Sequence, residues 1–196
     1  MIIKKIFDEI LTENLVLNQV QTAARLKTPK NFSNELIVKC EKQLRQEINC
    51  RYSAVLTRVD LGLENQIDLG FEKIQSKSLY KNLLNVNQAY VFAVTLGHSV
   101  DRLIQRLKIT SLAEYFITDG LASAFTEAAC EYIVSEIKED KTLRPRFSPG
   151  YGDLSLEVQA KILELVSAEK LLNIKLNQSF LMSPIKSVTA IVGMEE

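Results

Sequence analysis

The residues best suited to ligand chemistry in this 196-residue chain fall in one stretch, Arg144-Pro145-Arg146-Phe147-Ser148-Pro149-Gly150-Tyr151-Gly152. Its two prolines fix φ and push the residues before them toward extended backbone. Gly150 and Gly152 permit turns or a close backbone approach. Arg146 offers a planar fork of donors matched to a carboxylate, and Tyr151 a flat apolar face ending in a hydroxyl. Together they suit a small zwitterionic or nucleoside-bearing ligand. The alternative is a helix-loop-helix connection punctuated by Pro and Gly, with a solvated arginine.

Elsewhere reactive side chains are sparse. His98 is the only histidine and stands at a strand-to-helix corner with no neighbouring ligand set, which favours a turn or capping role over a base or metal ligand. Cys40, Cys50 and Cys130 are odd in number and widely spaced, so they read as buried thiols and suggest neither a disulfide framework nor a zinc site. Lys plus Arg and Asp plus Glu balance at 24 each, and nothing in that balance selects nucleic acid. The amino terminus meets charge too early for a signal peptide and no apolar run approaches a membrane span. The expectation is a cytoplasmic protein without a membrane partner.

The elements that must position the loop follow from periodicity. Helices are expected from about Thr12 to Thr28-Pro29, with Leu15, Val16, Val20, Ala23, Ala24 and Leu26 on one face, and from Ser33, a candidate N-cap, to about Arg51. Tyr52 to Leu61 reads as a strand broken by Gly62, with Ile67 to Phe71 its antiparallel partner. A short helix, 78 to 85, precedes Ala89 to Leu96, whose continuous apolar character suits a central strand covered on both faces. Helices follow at Val100 to Lys108 and Leu112 to about Lys138, the latter with a broad apolar face and with Glu114, Asp119, Glu127, Glu131 and Glu136 as a mostly solvated one. After the loop, a helix from Ser155 to about Asn173 leads to strands at Leu176 to Met182 and Ser187 to Val192. Irregular strand spacing predicts an α+β fold, helices packed around a small, mainly antiparallel sheet, in a single domain spanning 1–196.

The hexamer Arg146 to Tyr151, of the form Arg-x-x-x-Gly-Tyr, resembles the S-adenosylmethionine-binding signature of the activation domain of cobalamin-dependent methionine synthase. The flanks share the likeness: Asp119-Gly120-Leu121-Ala122-Ser123-Ala124-Phe125-Thr126-Glu127 before it, and Ser179-Phe180-Leu181-Met182-Ser183-Pro184 with Ser187-Val188 after it. The resemblance covers residues 89–196; residues 1–88 carry no comparable motif.

The resemblance implies an S-adenosylmethionine-binding accessory protein for reductive methylation of cob(II)alamin. The cobalamin would sit on a separate methionine synthase core or other corrinoid protein, and the electron would come from a flavodoxin-like or ferredoxin-like donor. Arg146 would pair with the methionyl carboxylate, backbone around Ser148 and Gly150 would approach the ligand, Tyr151 would pack on it, and Glu127 would take its ammonium. Methyl transfer from a sulfonium needs positioning rather than a general base, so neither a catalytic side chain nor a metal ligand is expected. His98 departs from the Asp-x-His-x-x-Gly pattern of corrinoid-binding domains, so the cobalamin is not expected on this chain. In the family an acidic residue stands where Ser123 stands, an amino-terminal Asp-Trp-Thr-Pro-Phe segment is present, and the domain continues past the strand matching Ser187-Val188. These departures favour the alternative, a non-catalytic module for a corrinoid protein that has lost S-adenosylmethionine binding.

Overall fold

The structure, a computed structural model, describes residues 2–18, 22, 34–138 and 140–195. At its centre lies the run that the sequence marks as covered on both faces. Strand β6 (Gln88–Thr95) is buried along almost its whole length. It pairs antiparallel on one side with β2 (Cys50–Arg58) and on the other with β9 (Ser187–Met194), and β1 (Ile2–Ile10) pairs antiparallel with β2. The resulting order is β1-β2-β6-β9, so both halves of the chain contribute to one sheet.

Alternation along the strands divides the core. Tyr52, Ala54, Tyr90, Phe92, Val94, Ala190 and Val192 pack under three helices, α1 (Asn34–Glu47), α3 (His98–Thr110) and α4 (Leu112–Lys138). Val55, Val91, Ala93 and Ile191 face the opposite side. There they meet α5 (Val158–Leu165), α6 (Ala168–Leu172), the short helix α2 (Lys77–Asn82) and a small antiparallel sheet of β3 (Asp60–Leu61), β4 (Gln66–Asp68) and β5 (Lys73–Gln75). The α+β class read from the sequence is the class observed. Helix α4 is buried around much of its circumference, Ile117, Leu121, Ala122, Phe125, Ala129 and Ile133 among the residues enclosed, as an all-round apolar helix requires.

Five elements differ from the sequence reading. Strand β1 has no counterpart in the sequence pattern, because its lysines and acids hide an edge strand that buries only Ile10. Thr12–Asn14 form a single 3₁₀ turn and Leu15 to Asn18 are not helical; Val20, Ala23, Ala24, Leu26, Thr28, Pro29 and the candidate cap Ser33 lie outside the described residues. The strand expected over Tyr52 to Leu61 is divided between β2 and β3, and the 66–71 segment pairs antiparallel only with its end: β4 joins β3 and β5 in the separate small sheet and does not pair with β2. The single helix expected to Asn173 is two, because Ser167 takes left-handed backbone (φ 54°) between α5 and α6. In the same region Leu176 to Met182 pairs only at its ends, as β7 (Lys175–Leu176) with β8 (Met182–Ser183). Between them the Asn177 carboxamide oxygen accepts from the Ser179 and Leu181 amides, each at 2.9 Å, and so makes a turn of what reads as a strand.

Among the described residues no helix is long and apolar enough to cross a membrane, and no group of three His, Cys, Asp or Glu side chains could hold a metal ion.

Candidate functional site

The Pro/Gly-rich loop is fastened at both ends. On one side it lies along the outer edge of β9: Arg144 N–H donates to Gly193 O (2.8 Å), and Phe147 and Ile191 exchange N–H···O bonds of 2.9 and 2.8 Å. Arg144 also donates to Leu84 O at 2.9 Å and ion-pairs with Glu195 at 3.0 Å. On the other side Asp153 closes the loop onto the start of α2. Its carboxylate accepts from Ser76 Oγ (2.7 Å) and from the Lys77 (2.7 Å) and Ser78 (3.0 Å) amides. These donors, the Ser76 hydroxyl foremost, hold the Asp153 carboxyl well below the ordinary value of 3.8.

Between the fastenings the chain turns tightly. Gly150 N–H donates to Leu154 O and Tyr151 N–H to Ser148 O. Gly150 (φ 88°) and Gly152 (φ 55°) both adopt left-handed backbone. Gly152 is further constrained, since a Cβ there would lie 2.6 Å from Ser78 Oγ. Tyr151, bracketed by the two glycines, is 62% exposed and edge-on to Phe147, with ring centroids 6.3 Å apart.

This turn overhangs a cleft of about 260 Å³ lined by Ser123, Thr126 and Glu127 of α4, by Tyr151, and by the stretch 185–188 that leads into β9. Two of the sequence candidates meet there: Arg146 reaches across from the loop and its Nη2 donates to Glu127 Oε1 in an ion pair. Both side chains are about three-quarters buried, so the pair is only partly screened. Glu127 and Tyr151 line the cleft, Arg146 reaches it through Glu127, and Ser148 and Gly150 shape the turn without lining it.

Lys186 was not singled out in the sequence. Its ammonium, on a side chain only 11% exposed, donates to Asp119 Oδ1 (2.8 Å), Asp119 O (3.1 Å) and Ser123 Oγ (2.9 Å). It lies between Pro184 and Ser187-Val188, inside one of the family-like blocks, and its partners come from another; that adjacency was the available signal. Asp119, Glu127 and Glu114 are thus ion-paired rather than simply solvated, Glu114 with Lys39 at 2.8 Å.

His98 occupies the first turn of α3, where its Nε2–H donates to Asn173 O at 3.1 Å. Cys40, Cys50 and Cys130 are buried free thiols, and burial pushes Cys50 up to about 12. A wider depression, about 720 Å³, opens between Thr12–Glu13 and α1. There Arg45 is bound to Glu41 and to Thr12 O, and stands 4.6 Å from the centroid of the Phe125 ring. The 260 Å³ cleft is the stronger candidate because it brings together Glu127 and Tyr151, two of the residues singled out in the sequence.

The class defined by these features is an α+β domain whose helix-backed antiparallel sheet carries a polar cleft closed by a Pro/Gly-rich loop. A solved structure that shares this architecture is the MetH reactivation domain bound to AdoHcy, with a TM-score of 0.72 and 17% identity over 97% of this chain and 78% of that one. At that identity the likeness is one of fold. No protein-family model matches the chain, and no curated protein matches it in sequence.

Proposed function

We propose that this chain binds S-adenosylmethionine in the cleft between α4 and the Arg146 loop. Its role would be to support reductive methylation of cob(II)alamin carried by a separate methionine synthase core or other corrinoid protein, with one electron from a flavodoxin-like or ferredoxin-like donor. The observation that carries the proposal is the Arg146–Glu127 pair at a cleft of this fold. A guanidinium beside a carboxylate is the complement of an α-amino acid, and a zwitterion entering between them exchanges one internal pair for two external ones.

The residues present fit such a ligand. Arg146 would receive the carboxylate and Glu127 the ammonium, while the exposed Tyr151 ring offers a face for the nucleoside. Ser148 and Gly150 act by setting the turn that places Tyr151. The cleft is slightly smaller than the roughly 300 Å³ at which enclosed ligand pockets begin, so part of the ligand would stay accessible to a partner, as group transfer to a second protein demands. The sulfonium supplies an already activated methyl group, and no side chain here need take a proton.

One observation favours a second reading, a module that docks on a corrinoid protein without any ligand. The charges at the cleft are satisfied internally, Arg146 by Glu127 and Lys186 by Asp119, and Lys186 sets its own ammonium against Ser123, where the resembling family has an acid. Calorimetric titration with S-adenosylmethionine and its demethylated product separates the two. Saturable binding supports the first reading, and silence from the free chain and from its complex with a corrinoid protein leaves the second.

A further inference from the structure

The two edges of the main sheet are treated differently. The β9 edge is covered by the loop, through bridges at Leu143 and Phe147. Among the described residues β1 pairs with β2 alone, and most of its side chains are exposed. A nine-residue edge strand with no second strand beside it among the described residues is one that another strand can join.

We propose that β1 is a self-association edge, pairing antiparallel with β1 of a second copy to join two four-stranded sheets. The argument is the order of charges. From Lys4 the strand reads Lys-Lys-Ile-Phe-Asp-Glu, a sequence whose two ends are of opposite sign about an apolar centre. Laid antiparallel against itself with the two-fold axis at Phe7, it sets Lys5 of each copy opposite Glu9 of the other and Phe7 opposite Phe7. Unlike charges and paired aromatics are both favourable cross-strand neighbours. Edge lysines ordinarily repel strands; here the acids three to five residues along turn that repulsion into selection for one partner in one orientation.

Backbone direction agrees. Glu9 N–H is held by its neighbour's carboxylate, Asp8 Oδ1, at 2.8 Å, so it points away from β2, and in the dimer it would exchange that acceptor for Lys5 O of the second copy. By antiparallel alternation Lys5 and Phe7 present their amides to the same outer side. Phe7, which lies opposite Ser53 on β2, is 47% exposed, whereas Ile6 packs on the core and Ile10 is buried. The residue at the proposed axis therefore has apolar surface to bury, as do Ile2 and Ile3 at the start of the strand. The irregular step in the β1–β2 register falls between Ile2 and Lys4, outside the pairing stretch.

Sedimentation velocity of the full chain tests this, with Lys5→Glu and Glu9→Lys alone and mixed. The wild type is expected to dimerise. Each reversal places two like-charged pairs across the axis and should weaken the dimer on the order of tenfold. Mixing the two variants should restore it as a heterodimer, in which positions 5 and 9 again face each other with unlike charges. A monomeric wild type at hundreds of micromolar would overturn the proposal. So would single reversals that dimerise as well as wild type, or a mixture no better associated than its components.

Discussion

Replacing Arg146 and Glu127 singly and together should weaken S-adenosylmethionine binding in a way that identifies the internal pair as the ligand's competitor. Each charge-assisted contact to the ligand is worth about 1.5 to 3 kcal/mol. Both side chains remain roughly one-quarter exposed, so separating the pair costs about 1 kcal/mol, the upper end for screened pairs. Arg146→Ala loses one ligand contact but no longer has the pair to break, a net loss of about 0.5 to 2 kcal/mol, or roughly 2- to 30-fold in Kd. Glu127→Gln should lose a similar amount for the same reason. The double variant loses both contacts and avoids the separation only once, so its deficit should exceed the sum of the singles by about 1 kcal/mol. Calorimetry with the demethylated product reads all four proteins, and 5′-methylthioadenosine, which lacks the amino-acid end, serves as control. The reasoning is refuted if the double variant is no worse than the sum, or if the control ligand weakens as much as the full one.

The loop and its fastenings give further tests. Gly152→Ala incurs both left-handed backbone and a Cβ 2.6 Å from Ser78 Oγ, about 2 to 4 kcal/mol together by denaturant unfolding. Gly150→Ala meets nothing nearer than Leu156 Cδ1 at 3.5 Å and should lose only about 1 kcal/mol; equal losses would remove the Ser78 contact from the account. Asp153 is a carboxyl whose folded pKa is depressed, so its stabilisation is present above its unfolded value and disappears as pH falls below about 4. The melting temperature of wild type should therefore drop more steeply on acidification than that of Asp153→Asn, and parallel curves would deny Asp153 this role. Lys186→Met breaks a pair of which only the lysine is well buried, so a loss of about 1 to 2 kcal/mol is expected, between exposed and buried pairs. An unchanged melting curve would show that Asp119 and Ser123 do not need it.

What could be read in advance depended on whether a pattern is made by burial or by partners. The continuous apolar run of β6 and the broad apolar face of α4 are signatures of enclosure, and both elements stand within a few residues of where periodicity puts them. Strand β1 has the opposite character: eight of its nine positions are not buried, so it carries no alternation to detect and is held by main-chain pairing that any sequence can make. Ser167 and Asn177 escaped for a related reason. A serine in left-handed backbone and an asparagine that accepts from two amides act through local geometry, whereas the apolar residues around them keep helical and strand-like spacing.

At the cleft the same distinction decides which residues were found. Arg146, Glu127 and Tyr151 were legible because they fall in blocks with a recognisable spacing. Lys186 was not, because a lysine beside a proline turn has no meaning until the turn is laid against α4. Once there, its three donors are occupied by Asp119 and Ser123, so it fixes the start of β9 against the helix that carries Glu127. The sequence on either side of the cleft is thus tied by two ion pairs of different connectivity. In Lys186–Asp119 the lysine is 11% and the aspartate 43% exposed, and the ammonium has further acceptors in Asp119 O and Ser123 Oγ. Arg146–Glu127, with both partners about one-quarter exposed, is the pair that the proposed zwitterion would part, because opening the other would take a well-buried ammonium from three acceptors.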